Sequence, residues 1–341
     1  MIYGNIIQDG HTNNSMFGTE DSVHLYNPTH TPRLLRKEFL NLGIEINTPD
    51  INAKNIISFE LHAEGRALEK NNLPKYLIAS ENPYINKLNM STDYYSNFQK
   101  VFTWNKAFFD LPNVTPIFVP NEIKWEPSPE FKDRSIFSCL INANKAFKEP
   151  LERDLYQERI STIRWYEDNA PELFHLYGMG WHKPPPAFTT TDKILRRIGR
   201  LRSQLSSFKP FPSYKGEVKK KSEILGNCKF SFCYENVRDL PNYITEKIFD
   251  SLLAGCVPIY WGANNVKEHI PSSCFIDRRD FKNIEELHDY LCSITEHQHQ
   301  TYQDNIKRFL ESDQASKFDS KTFSKIISTE IHNNLMTRKT S

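Results

Sequence analysis

Short apolar runs bounded by polar turns recur along this chain and alternate with stretches whose apolar residues fall three and four apart. In the first third, Asn55-Ile-Ile-Ser-Phe-Glu and Tyr76-Leu-Ile-Ala-Ser have the form of buried parallel strands. A helical pattern over 34–42 is closed by Gly43, and Ile44-Glu-Ile-Asn then alternates as a strand end does. A second series begins at Ser135-Ile-Phe-Ser-Cys-Leu-Ile and continues through Leu173-Phe-His-Leu-Tyr, Phe230-Ser-Phe-Cys-Tyr and Val257-Pro-Ile-Tyr-Trp. Strands alternating with helices predict an α/β protein built on parallel sheets. Between the two series, Pro112, Pro116, Pro120, Pro127 and Pro129 crowd a stretch without periodicity, which marks an interdomain connection. A chain of 341 residues is long enough for two cores. The expected division is 1–125, 126–315 and a helical tail at 316–341, in which Phe318, Phe323, Ile326 and Ile327 fall at packing intervals.

The sharpest unit runs from strand 228–234 through a polar loop at 235–242 to a helix ending near Gly255, followed by strand 257–261. Ile244, Ile248, Phe249, Leu252 and Leu253 share one face of that helix. Its first turn carries Tyr243, Thr245, Glu246 and Lys247. A helix N-terminus beyond a parallel strand attracts phosphate, since its amides and dipole both favour an anion. Lys247 adds a positive charge there, and Glu246 is suited to ribose or sugar hydroxyls; taken alone, the pair also fits a solvated first turn. Gly178-Met-Gly180 lacks the third glycine of a dinucleotide fingerprint and is expected only to reverse the chain. His297 and His299 are expected on a solvated helix face.

Charge and composition remove several classes. Lys+Arg 43 against Asp+Glu 42 leaves a net charge of +1, so a nucleic-acid partner is not expected. The six cysteines include no Cys-x-x-Cys pair and lie largely in apolar runs, as buried free thiols do. The first residues lack the pattern of a signal peptide, and no stretch is apolar enough to span a bilayer, which points to the cytoplasm. The segment 192–209 is basic through Lys193, Arg196, Arg197, Arg200, Arg202 and Lys209, with Ile194, Ile198, Leu201 and Leu205 on the opposite face. It fits either a helix packed on its domain or a peripheral contact with an anionic inner membrane surface.

The segment Phe232-Cys-Tyr-Glu-Asn-Val-Arg-Asp-Leu-Pro-Asn-Tyr-Ile-Thr-Glu-Lys, continuing to Val257-Pro-Ile-Tyr-Trp-Gly, closely resembles the signature of glycosyltransferase family 10, the α1,3/1,4-fucosyltransferases. The likeness extends through Ser273-Cys-Phe-Ile-Asp and Asp280-Phe and covers about residues 135–289. It implies the GT-B arrangement of two Rossmann-like domains facing across a cleft, GDP-β-L-fucose as donor and inversion at the anomeric carbon. It implies an oligosaccharide acceptor containing GlcNAc or Glc, within cell-surface glycan or lipopolysaccharide synthesis.

Carried over position by position, the resemblance gives Asn236, Tyr243, Glu246 and Lys247 as donor contacts and Arg159 as a phosphate ligand, with Tyr214 and Lys215 toward the guanine. Guanidinium pairs bidentately with phosphate, which gives Arg159 its physical sense. Ser80-Glu81-Asn82-Pro83 stands where the family places Glu-Ser-Pro, with Asn82 in place of serine, so Glu81 is the candidate base. Inversion needs one such carboxylate, and Glu60 and Glu64 compete for the role. No Asp-x-Asp occurs, and no metal or other cofactor is expected beyond the donor itself, because Arg159, Lys247 and the helix dipole offset the leaving group's charge. Two other readings fit the same residues: transfer of a different GDP-sugar, or a catalytically silent sugar-nucleotide or glycan-binding protein.

Overall fold

The computed structural model describes residues 1–18, 29–53, 56–184 and 209–340. Their contacts divide into two units, one of Met1–Ile123, Pro241–Tyr243 and Ala315–Ser341, the other of Lys124–Leu240 and Ile244–Gln314. The basic segment expected as an amphipathic helix falls, apart from Lys209, outside the described residues.

The first unit holds a six-stranded parallel sheet of β1 (Ile2–Ile7), β2 (Ile44–Asn47), β3 (Ile57–Ala63), β4 (Lys75–Ala79), β5 (Lys100–Thr103) and β6 (Val114–Pro116), in the order β2-β1-β3-β4-β5-β6. Every residue of β4 is buried, as a strand covered on both faces requires. β1 is invisible to an apolar-run reading because Gly4 and Asn5 interrupt it. Both have packing reasons: a Cβ on Gly4 would meet the Phe59 ring at 2.2 Å, and the Asn5 amide oxygen accepts from Asn52 Nδ2 at 2.8 Å. The C-terminal helix Ser320–Thr340 belongs to this unit. Phe323, Ile327, Ile331 and Leu335, four apart, lie in one core with Phe39 and Leu35 of the helix His30–Asn41 and with Phe59 and Tyr76 of the sheet.

The second unit is built on β7 (Ile136–Ile141), β8 (Phe174–Tyr177), β9 (Tyr214–Gly216), β10 (Cys228–Tyr234), β11 (Val257–Trp261) and β12 (Ile276–Asp277), all parallel, in the order β12-β11-β10-β7-β8-β9. Renumbered from its first strand this is the 3-2-1-4-5-6 winding of dinucleotide-binding domains. Connections leave β7 in one direction and β10 in the other, so a crevice opens beyond the carboxyl ends of those two strands. The helix Glu246–Leu253 follows β10 and ends in a left-handed turn at Gly255, φ +61°. Among the described residues, no helix is long and apolar enough to cross a membrane.

Two expectations from the pattern are corrected here. The cysteines are free and five are buried, but Cys292 is exposed. His297 is exposed as expected, whereas His299 has no exposed surface. On the helix Glu296–Leu310 the imidazole turns inward between Phe131 and Phe230, with centroids 5.1 and 5.8 Å away, and its Nε2–H donates to the Lys229 carbonyl at 3.2 Å. Burial pushes its pKa down to about 4 from the ordinary 6.5. The unfolded chain therefore protonates His299 first, and this residue's contribution to stability is present above pH 6.5 and is lost as the pH falls toward 4. His299→Gln keeps a donor for the carbonyl but cannot titrate. Between pH 7 and 4.5 the parent should lose about 2–3 kcal/mol more than this variant in urea unfolding. Equal losses would place the acid-sensitive group elsewhere.

Candidate functional site

In the second unit Arg159, Asn236, Glu246 and Lys247 gather at the carboxyl end of β10. Leu155–Asn169 is a helix whose first turn is fastened to the segment after β10: Leu155 N–H donates to the Asn236 carbonyl at 3.2 Å, and Arg153 Nη1 to the Asp239 carbonyl at 2.6 Å. Arg159 lies one turn further along and is buried. Its Nη2 donates to the carbonyls of Tyr234 at 2.6 Å and Glu235 at 2.9 Å and to Asn236 Oδ1 at 3.3 Å, while its guanidinium covers the Tyr156 ring at 4.7 Å. Arg159 and Asn236 are thus brought together, and the guanidinium also holds the strand end in place. Gly178 does more than reverse the chain, since a Cβ there would meet the Asn142 carbonyl at 2.1 Å where the connection leaves β7.

Lys247 and Glu246 occupy the first turn of their helix, but the helix end is not an open anion cradle. The carboxylate of Glu235, wholly buried, accepts the Thr245 N–H at 2.8 Å on Oε1 and the Thr245 hydroxyl at 2.7 Å on Oε2. Lys247 Nζ stands 3.1 Å from Glu235 Oε2, 2.9 Å from Thr245 Oγ1 and 3.4 Å from Glu246 Oε1. Thr245 sits at the N-cap position without capping, because its hydroxyl is committed to Glu235. Burial pushes the Glu235 pKa up, with Lys247 opposing. For Glu246 burial also opposes ionisation, yet Lys247 and then Lys221 outweigh it and hold its pKa at about 2. Glu235 stands in the quoted family-like segment but receives no role from the sequence; its signals are that match and a carboxylate immediately after an apolar strand.

Tyr214 and Lys215 do not join this cluster. They lie on β9 at the sheet edge, three strands from β10, or roughly 14 Å at the usual spacing between strands. Tyr243 belongs by its contacts to the first unit. There its ring packs on Trp104 with centroids 4.9 Å apart, and its hydroxyl accepts from Asn82 Nδ2 at 3.1 Å and faces Glu81 Oε1 at 3.5 Å.

Glu81 follows β4 on a loop that its neighbours fix closely. Trp104 Nε1 donates to the Ser80 carbonyl at 2.7 Å, and Asn82, fully buried, donates through both its backbone N–H and its Nδ2 to Glu81 Oε1 at 2.9 and 3.0 Å. Among the described residues none donates to Glu81 Oε2. The competing carboxylates have other tasks. Glu60 is buried among His62, Lys75 and Asn71. Glu64 ends β3 and accepts the N–H groups of Ser80 and Glu81 on Oε1 at 2.9 and 3.0 Å, with Asn89 Nδ2 on Oε2 at 2.6 Å. Burial raises its pKa, and its backbone is left-handed at φ 76°, an uncommon state for glutamate.

The parallel sheets and their winding define a protein of two α/β units. Residues 200–325 match the family model of the glycosyltransferase family 10 (fucosyltransferase) C-terminal domain. Over that segment the chain is similar to the fucosyltransferases of glycosyltransferase family 10. It is 39% identical over 80 residues to the α-(1,3)-fucosyltransferase FucT of Helicobacter pylori, covering 24% of this chain and 16% of that protein. It is 34% identical over 103 residues to an α-(1,4)-fucosyltransferase of Arabidopsis thaliana, covering 29% and 25%. The matches thus span no more than a quarter of either relative's length. In fold it is similar to a crystal structure of α1,3-fucosyltransferase with GDP, with a TM-score of 0.51 at 14% identity over 97% of this chain and 89% of the other. It is also similar to Anabaena HepE in complex with UDP and glucose, at 0.56 and 10% over 98% and 100%.

The geometry at Glu64 carries its own test. Alanine and glycine both remove the acceptor for the Ser80 and Glu81 amides, but only glycine relieves the left-handed backbone. Glu64→Ala should therefore be less stable than Glu64→Gly by about 1 kcal/mol in urea unfolding, the reverse of the usual order. Alanine proving the more stable would mean the backbone at residue 64 carries no strain.

Proposed function

We propose that this chain is an inverting fucosyltransferase that moves fucose from GDP-β-L-fucose to a hydroxyl of a GlcNAc- or Glc-containing saccharide, forming an α1,3 or α1,4 linkage. The observation carrying this reading is the family match over 200–325, whose Tyr-Ile-Thr-Glu-Lys piece falls at the start of a helix beside the crevice of a dinucleotide-type sheet. In the reaction the acceptor oxygen attacks the anomeric carbon as the bond to the diphosphate breaks, and Glu81 takes the hydroxyl proton. Oε2 of Glu81, which receives no donor among the described residues, suits that task, while Oε1 is held by Asn82. Arg159 and Lys247 offset the charge that grows on the departing GDP, so no metal is needed. Asn236, Tyr243 and Glu246 are donor contacts, with Tyr214 and Lys215 assigned to the guanine. The product belongs to a cell-surface glycan such as lipopolysaccharide O-antigen. The enzyme would work in the cytoplasm, with segment 192–209 resting on the anionic inner membrane surface.

Charge-assisted contacts to a diphosphate are worth about 1.5–3 kcal/mol each. Lys247→Ala and Arg159→Ala should each lower transfer more than about tenfold and weaken GDP binding in calorimetry. Glu81→Gln should instead leave GDP affinity intact while transfer falls about 10²–10⁴-fold. Near-normal transfer by Glu81→Gln would remove it as base, and unchanged turnover in either cation variant would remove that cation from the site. EDTA should leave the parent's activity in place.

A further inference from the structure

Glu235 is fixed on every side before its carboxylate meets anything. Its N–H donates to the Trp261 carbonyl at 2.8 Å, extending the β10–β11 ladder by one residue, and its own carbonyl accepts from Arg159. The end of β11 leaves room for it only because residue 262 is glycine: a Cβ there would meet Glu235 Cγ at 2.4 Å. Burying a carboxylate is costly, and replacing a buried ion pair by apolar residues is often neutral or stabilising. Fold stability alone thus gives little reason for an acid at this position.

What the acid does is organise the first turn of the helix Glu246–Leu253. It receives the N–H and hydroxyl of Thr245, the same hydroxyl accepts from Lys247 Nζ at 2.9 Å, and Glu235 Oε2 itself lies 3.1 Å from that ammonium. Lysine ordinarily carries a flexible four-carbon stem with large rotamer freedom. Here a rigid acceptor and a hydroxyl bridge confine it to one position. Resting on the donor reading above, we infer that Glu235 is a positioning residue that acts through Thr245 and Lys247, holding the ammonium where the leaving diphosphate develops its charge. Its effect falls on turnover, because an ammonium already in place costs no reorganisation in the transition state.

The test is a double-mutant cycle on the full chain, with GDP-fucose turnover and GDP titration as readouts. Glu235→Gln keeps the shape and an acceptor for the Thr245 N–H but removes the charge facing Lys247. It should lower kcat about tenfold or more while KM for the donor changes less than about threefold. In a Lys247→Ala background the same change should cost less than about threefold, since the residue through which it acts is gone. Thr245→Val, which removes the bridge, should behave as Glu235→Gln does, and Thr245→Ser should restore turnover; this pair also serves if Glu235→Gln does not fold. A merely structural glutamate would give losses that multiply in the double variant, and that result overturns the inference while leaving the donor reading standing. A parent that neither binds GDP nor transfers sugar brings down the donor reading and the inference with it.

Discussion

A parallel sheet wound outward from an interior strand has one place where successive connections part, and the backbone there leaves a gap that no helix covers. Each unit of this chain has such a place, between β1 and β3 in the first and between β7 and β10 in the second. The residues with chemistry to offer collect at or beside it. Glu64 closes β3 and props the loop that bears Glu81 after β4; Glu235 closes β10 and organises Thr245 and Lys247. In both cases a half-buried or buried carboxylate at a strand end takes backbone N–H groups of a neighbouring segment. The exposed or chargeable group that follows inherits its position.

This pairing explains why electrostatics at the second site is more restrained than a bare helix end with a lysine would suggest. Lys247 faces two carboxylates, one whose ionisation burial resists and one held well below the usual carboxylate range. Lys221 completes the local balance through Asp250 at 2.6 Å.

Much of the architecture was legible because parallel strands covered on both faces must be apolar throughout. The runs at 76–80, 135–141, 228–234 and 257–261 each mark a strand found close to those bounds. β1 was not legible, since its Gly4 and Asn5 answer to Phe59 and Asn52, partners about fifty residues away along the chain. β9 and β12 are too short to carry a pattern. At the site, Arg159, Asn236, Glu246 and Lys247 were found through a motif resemblance, and the structure groups them around one strand end. Glu235 and the prop at Glu64 were not, because a buried carboxylate is identified by the donors it meets and those are set by tertiary structure. His299 misled for the same reason: a histidine in a polar helix looks solvated until Phe131 and Phe230 are seen against it.

The most direct measurement is to incubate the parent protein with a panel of GDP- and UDP-sugars and GlcNAc- or Glc-terminated oligosaccharides, then determine product mass, linkage and anomeric configuration. The expected result is GDP release matched by an α-linked fucoside on a GlcNAc or Glc hydroxyl, formed from the β-configured donor. A β-fucoside, or turnover with a UDP-sugar and none with GDP-fucose, would contradict the account of donor and mechanism.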